Sequence, residues 1–369
     1  MPAPKPAPRP GAHEGPDARP HLFGLLPQEI EARLAEAGTL LREGEARRLM
    51  SHVVARGRDD LELARPLSRR VLAAVEQHLD LSPLEVVERA EDEADGFVKY
   101  LFRAPDGVLF EAVRIPLHLP GRFSACLSSQ AGCAMGCDFC ATGRMGLVRD
   151  LQAWEMVAAF RALRNEAPGR LSGAVFMGQG EPLANYEQVV RAASILSHPC
   201  GGRISAPAIS ISTVGLVPQV RRFTREGHKF RLIFSLTSAL PERRRRLLPV
   251  AGEQDLDSLI EAIHEYGRST RARVTIAWVL LGGVNHDQAE IDALQRAFRG
   301  LPIRLNLIDV NDPREGGYRR ATCEEMNRFL DDLQVLGVPI VRRYSGGASK
   351  DAACGMLASK RVGMEPQAE

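Results

Sequence analysis

Residues 126–143 read CLSSQAGCAMGCDFCATG and hold four of the chain's seven cysteines within fifteen positions. Cys133, Cys137 and Cys140 follow a C-x3-C-x2-C spacing, and Cys126 stands seven residues ahead of them. The stretch begins in a short apolar run, SACLSS, the first of seven. The others are GAVFMG, AISIST, FRLIFSL, VTIAWVLL, IRLNLID and IVRRY, with helix-spaced segments such as YEQVVRAASILS between most of them. Strands alternating with helices predict βαβ units and a parallel sheet, because parallel neighbours need long crossovers. The expected fold class is therefore α/β, an open or partial (β/α) barrel.

Polar and glycine-rich pieces recur at the ends of these runs. The cysteine loop follows the first and GQGEP (178–182) the second. STVG (212–215), SLTS (235–238), LGGVN (281–285) and DVN (309–311) end the next four. Any one of them is ordinary turn chemistry, but six in register point to the catalytic face at the C-terminal ends of barrel strands.

Composition excludes little: 44% hydrophobic and 25% charged residues are normal for a globular protein, and a net charge of +2 dictates no partner. Aromatic residues make up only 5%, which disfavours a nucleic-acid platform built on exposed rings. No apolar run reaches the roughly 18 residues of a membrane span, and the proline-rich start lacks an export signal. The expected setting is the reducing cytoplasm, where clustered cysteines are metal ligands or reactive thiols rather than disulfides. A closed zinc site wants four ligands, and Cys126 would have to complete it, since His198, His228, His264 and His286 are scattered. Three thiolates on a [4Fe–4S] cluster would instead leave one iron open for chemistry.

Along the chain, residues 1–20 read as a disordered tail and 21–95 as a helical accessory domain. Residues 96–121 read as a β-hairpin around Pro105-Asp106-Gly107, residues 122–358 as the partial barrel, and 359–369 as a C-terminal tail. Basic residues of the front segment (Arg47, Arg48, Arg56, Arg58, Arg69, Arg70) suit either a solvated face or RNA contact, as does the run Arg243–Arg246.

The cysteine spacing after a first βα strand resembles that of the radical S-adenosylmethionine (SAM) superfamily. CLSSQAGCAMGCDFCATG, GQGEPL, STVG, SLTSA and DAACGML, in that order, resemble the RlmN/Cfr family of RNA adenosine methyltransferases over about residues 22–358. The resemblance implies that Cys133, Cys137 and Cys140 hold a [4Fe–4S] cluster whose open iron is chelated by SAM. Gly180 and Glu181 would hold the SAM amino group, and Ser212, Ser235, Leu236, Thr237 and Asn311 would contact the rest of SAM. Cys354 would carry a methyl group taken from one SAM. Reductive cleavage of a second SAM would supply a radical that takes a hydrogen from that S-methyl, so that its carbon adds to an adenine ring carbon. Glu111 would remove the ring proton, and Cys126 would release the base by forming a transient disulfide with Cys354.

That scheme implies two SAM per turnover, a ribosomal RNA and in addition a transfer RNA substrate, and an electron donor such as flavodoxin or ferredoxin. It also implies a monomer with no membrane partner. The sequence departs from the family pattern at Gln179, usually Met, at Thr237, usually His, and in the approach SGGASKDAACG to Cys354. Carbon 2 of adenine is the expected target. Carbon 8, a peptide or small-molecule substrate, and a zinc-stabilised RNA-binding protein are the alternatives.

Overall fold

The computed structural model describes residues 19–61, 67–312, 314–343 and 346–357; the two expected tails lie almost wholly outside them. Among the described residues twelve strands form: β1 (Glu85–Glu91), β2 (Val98–Arg103), β3 (Leu109–Pro116), β4 (Arg122–Leu127), β5 (Gln130–Cys133), β6 (Gly146–Asp150), β7 (Arg170–Phe176), β8 (Ile209–Thr213), β9 (Arg231–Ser235), β10 (Val274–Leu280), β11 (Ile303–Asp309) and β12 (Ile340–Arg343). Ten lie in one sheet, ordered β1-β2-β3-β4-β7-β8-β9-β10-β11-β12. From β4 to β12 all seven are parallel, one for each apolar run of the sequence. The first four are antiparallel, so the hairpin expected at 96–121 extends the barrel sheet.

The helices are α1 (Pro27–Glu36), α2 (Glu45–Met50), α3 (Arg69–His78), α4 (Ala141–Met145), α5 (Ala153–Asn165), α6 (Tyr186–Ser197), α7 (Val217–Glu226), α8 (Pro241–Leu247), α9 (Pro249–Gly252), α10 (Leu256–Ser269), α11 (Gln288–Ala297) and α12 (Cys323–Asp332). From α5 onward the main helices are the crossovers that parallel pairing requires. Residues 85–91 correct the helical expectation for 21–95. Val86, Val87 and Ala90 suit a helix face, but pairing with β2 makes the segment an edge strand. Its Glu85, Glu88, Arg89 and Glu91 blunt that edge against further pairing.

The helical front segment shares one apolar core with the barrel, running from Leu22 and Phe23 through Trp154, Val157 and Phe160 of α5 into the sheet. His21 stacks on Trp154 with ring centroids 4.1 Å apart, and the Arg161 guanidinium lies 4.0 Å over the Phe23 ring.

β5 and β6 pair as a separate antiparallel ribbon that carries the cysteine loop. Gly132 makes the pairing possible: its φ is +77°, and a Cβ there would stand 2.0 Å from the Gly146 carbonyl oxygen. Arg149 of β6 anchors the ribbon. Its guanidinium donates to both Asp106 oxygens (2.6 and 3.0 Å) and both Glu155 oxygens (2.7 and 2.9 Å). Glu155 is buried, so Arg149→Met would leave its charge without a cation. The expected cost is about 3–5 kcal/mol of unfolding free energy, read by urea denaturation.

Candidate active site

The cysteine loop leaves β5 at Cys133, turns through Gly136 (φ +65°) and enters α4 with Cys140 at its N-cap. α4 sits directly on the loop, and a Cβ on Gly143 would meet the Cys137 nitrogen at 2.8 Å. Cys133, Cys137 and Cys140 thus line one cavity of about 920 Å³, measured to its open mouth, with Met135, Phe139 and Leu248 as apolar wall. Burial pushes the Cys133 thiol up to about 12 and Cys137 well above its ordinary value. Burial also raises Cys140, against hydrogen bonds from its neighbours Gly143 and Thr142. Such thiols stay protonated at neutral pH until a metal displaces the proton, which suits soft-metal ligands and not exposed nucleophiles. Among the described residues no three His, Cys, Asp or Glu groups close on a point as ligands of a single ion would. A cluster asks for less, since each thiolate binds a different iron.

The other strand ends complete the cavity: Gly180, Glu181, Ser212, Ser235, Thr237 and Asn311 all line it. Gly180 has φ +99°, and a Cβ there would stand 2.6 Å from Gln130. Glu181 is buried; its Oε1 accepts from the Leu183 N–H and its Oε2 from the Val214 N–H, both at 2.9 Å. Burial raises its carboxyl, with those hydrogen bonds opposing, so a ligand ammonium would find it polarisable and already held in place.

Ser212 and Ser235 place their hydroxyls 3.3 Å apart. Thr237 is fully buried at φ +60°, a strained backbone for a β-branched residue, and its hydroxyl has no hydrogen-bond partner among the described residues. A buried orphan hydroxyl on a cavity wall is a fitting contact for a polar ligand such as SAM. Leu236 is the exception in the expected set, because its side chain is in the apolar core and does not line the cavity.

Cys354 reaches the same cavity from the far end of the chain. The Ala141 N–H donates to the Gly355 carbonyl (2.8 Å), the Thr142 hydroxyl to that of Leu357, and Asn311 Nδ2 to that of Cys354 (3.3 Å). Asp95 and Asp92, in the turn between β1 and β2, accept from the Gly347 N–H (2.7 Å) and the Ser349 hydroxyl (2.6 Å). Cys354 also lines an adjoining cavity with Cys126, Phe97, Val113, Ile115 and Arg343. Cys126, on β4, lines that adjoining cavity and not the first one, whereas Cys140 lines both. Burial pushes the Cys126 thiol up to about 12.

Val113 pairs with Cys126, and Glu111 stands two residues along β3 on the same face. Glu111 is 1% exposed; its Oε1 lies 3.4 Å from Lys99 Nζ, and its Oε2 accepts from Gln179 Nε2 at 3.3 Å. Burial pushes its carboxyl up to about 7, with Lys99 pulling the other way. Sequence reasoning missed this pairing of Gln179 with Glu111. It also missed Met177, whose sulfur lies 3.9 Å from that of Cys354. Cys200 and Cys323 line neither cavity.

A three-cysteine loop at the mouth of a half-open parallel barrel defines the class, and the comparisons agree. Residues 127–294 match the radical SAM superfamily, a span that holds the three loop cysteines and leaves out Cys126 and Cys354. A crystal structure of a radical SAM methyltransferase from Sphaerobacter thermophilus superimposes with a TM-score of 0.84 at 37% identity, covering 92% of this chain and 99% of that one. A probable RNA methyltransferase of Myxococcus xanthus is 45% identical over 93% of this chain and 95% of its own length. The dual-specificity RNA methyltransferase RlmN of Syntrophotalea carbinolica is 35% identical over 96% and 93%. The chain belongs to the RlmN-type family of radical SAM RNA methyltransferases. A [4Fe–4S] cluster and SAM come with that family, and the thiols and the orphan hydroxyl described above fit them. Among the described residues no helix is long and apolar enough to cross a membrane.

Proposed function

We propose that this enzyme methylates carbon 2 of an adenosine in ribosomal RNA and in transfer RNA, using Cys354 as methyl carrier and Cys126 as the thiol that releases the product. The observation that carries the reading is the shared cavity: Cys126 and Cys354, 228 residues apart in sequence, face one space beside the cysteine loop. The dual-specificity name of the Syntrophotalea relative supports a second RNA substrate. When bound, the cluster and two SAM supply the methyl group and a hydrogen-abstracting radical. Cys133, Cys137 and Cys140 hold the cluster, and Gly180, Glu181, Ser212, Ser235, Thr237 and Asn311 position SAM. Leu236 packs in the apolar core behind them. Cys354 presents the methyl group between the two cavities and becomes joined to the base through it. Glu111 takes the ring proton. As the adduct gives up its unpaired electron to the donor side, Cys126 forms an S–S bond with Cys354. The sulfur–methylene bond breaks, the thiol proton completes the methyl group on the base, and the donor reduces the disulfide before the next turnover. An external donor such as flavodoxin or ferredoxin supplies electrons, and the enzyme acts as a monomer in the cytoplasm.

A base at Glu111 must be deprotonated, so turnover should rise with pH through about 7. The sign for stability is opposite. A carboxyl raised above its unfolded value contributes stability below the usual carboxylate range and loses it as pH rises through about 7. Glu111→Gln should cut turnover by about 10²–10⁴-fold and flatten both profiles, read by methylation assays and urea melts across pH 5.5–8.5 (buffers chosen to span about 7). Mass spectrometry of ribosomal and transfer RNA from a deletion strain tests the substrate. A missing 2-methyladenosine is expected, and an unchanged methyladenosine inventory would refute the assignment.

A further inference from the structure

The run Arg243–Arg246 does not form one basic face. Arg243 pairs with Asp287 (2.6 Å) and Glu290 (2.9 Å), and Arg245 and Arg246 are exposed. Arg244 is different: it is 1% exposed, among the largest fully buried side chains. Its Nη2 donates to the Val214 carbonyl at 2.6 Å, and its Nη1 to the carbonyls of Leu236 and of Ser235, the latter at 3.4 Å. Among the described residues its side-chain partners are neutral peptide oxygens, with no carboxylate. A buried cation held this way keeps an uncompensated charge, which is costly unless something nearby uses it.

The geometry identifies that neighbour. Val214 and Ser235, whose carbonyls hold the guanidinium, line the same cavity as Cys133, Cys137 and Cys140. The turn from α8 into α9 packs directly under the cysteine loop: the Asp138 N–H donates to the Leu247 carbonyl (3.1 Å) and the Val250 N–H to that of Met135 (3.4 Å). Leu247, Leu248 and Ala251 share an apolar cluster with Cys133 and Cys137. The positive charge thus sits one peptide layer behind the wall that holds the loop thiols.

We infer that Arg244 is a built-in counter-charge for the iron–sulfur cluster, a positioning residue that makes one-electron reduction easier without touching SAM or RNA. The inference rests on the radical SAM reading of the loop. Three thiolates on an oxidised [4Fe–4S] core carry a net charge of −1, and one electron from a donor makes it −2 with no bond made or broken. A fixed cation in a low-dielectric wall stabilises the second state more than the first.

The test is a potentiometric titration of the reconstituted protein with dithionite, followed by electron paramagnetic resonance and run without SAM, so that Glu181 and its ligand play no part. Arg244→Met should lower the ratio of reduced to oxidised cluster at a fixed potential by about tenfold, a shift of about 59 mV for one electron. Arg244→Lys, which keeps the charge, should stay close to wild type. Arg244→Gln keeps an amide donor for the Val214 carbonyl without the charge, and should follow Met. Equal potentials in all loaded variants would overturn the inference and leave Arg244 as a tie between strand ends. If neither neutral variant retains iron, the lysine variant decides: retention upholds a role for charge, and loss of iron there too refutes it. Wild-type protein with no [4Fe–4S] signal would refute the cluster reading itself, a separate failure.

Discussion

Cys354→Ala is expected to abolish methyl transfer, by on the order of a thousandfold or more, while iron content and SAM binding stay at wild-type levels. The argument is one of place. Cys354 lines the cavity of the cysteine loop and the one it shares with Cys126, and it alone among the cysteines outside the loop lines both. It is held there through backbone carbonyls, by Ala141, Thr142 and Asn311, and those bonds survive loss of the sulfur. The fold should therefore survive too. A variant that still methylated RNA at full rate would show that the methyl group passes directly from SAM.

Cys126→Ala is expected to give a different failure: accumulation of protein joined covalently to RNA, with almost no free product. On the proposed scheme the variant can still load the methyl group and attack the base, because Cys354 and the loop cysteines are intact. What it lacks is the thiol that breaks the link. Cys126 is buried among Phe97, Val113 and Val175, and burial pushes its thiol up to about 12, so on the proposed scheme its proton must leave as the S–S bond forms. Removing one sulfur there should cost about 1 kcal/mol of stability, too little to explain a block by unfolding. A denaturing gel of turnover mixtures reads the outcome; a variant that releases methylated RNA normally would remove Cys126 from the mechanism.

Much of this arrangement was legible in the sequence because period and punctuation are local signals. The seven apolar runs each became a parallel strand, and residues at the ends of five of them meet in one cavity, while LGGVN (281–285) and the end of the last run lie outside its lining. The family resemblance pointed to Cys126 and Cys354 as a pair, and both line one cavity. The misreadings share a physical cause, since each depends on a partner distant in sequence. Residues 85–91 suit a helix face until β2 pairs with them. Arg244 looks like its three neighbours until the strand-end carbonyls close around it. Gln179 reads as a departure in a turn, yet its amide bonds both the backbone and the carboxyl of Glu111, 68 residues away. Gln179→Met should therefore alter the pH dependence of turnover and not SAM binding.

The central claim is that the protein's own Cys354 carries the methyl group to RNA. Mass spectrometry of the peptide containing Cys354, from protein incubated anaerobically with SAM and no RNA, tests it most directly. The account predicts one methyl group on the Cys354 sulfur, lost when substrate RNA and reductant are added. An unmodified Cys354 in a preparation that nonetheless methylates RNA would contradict it.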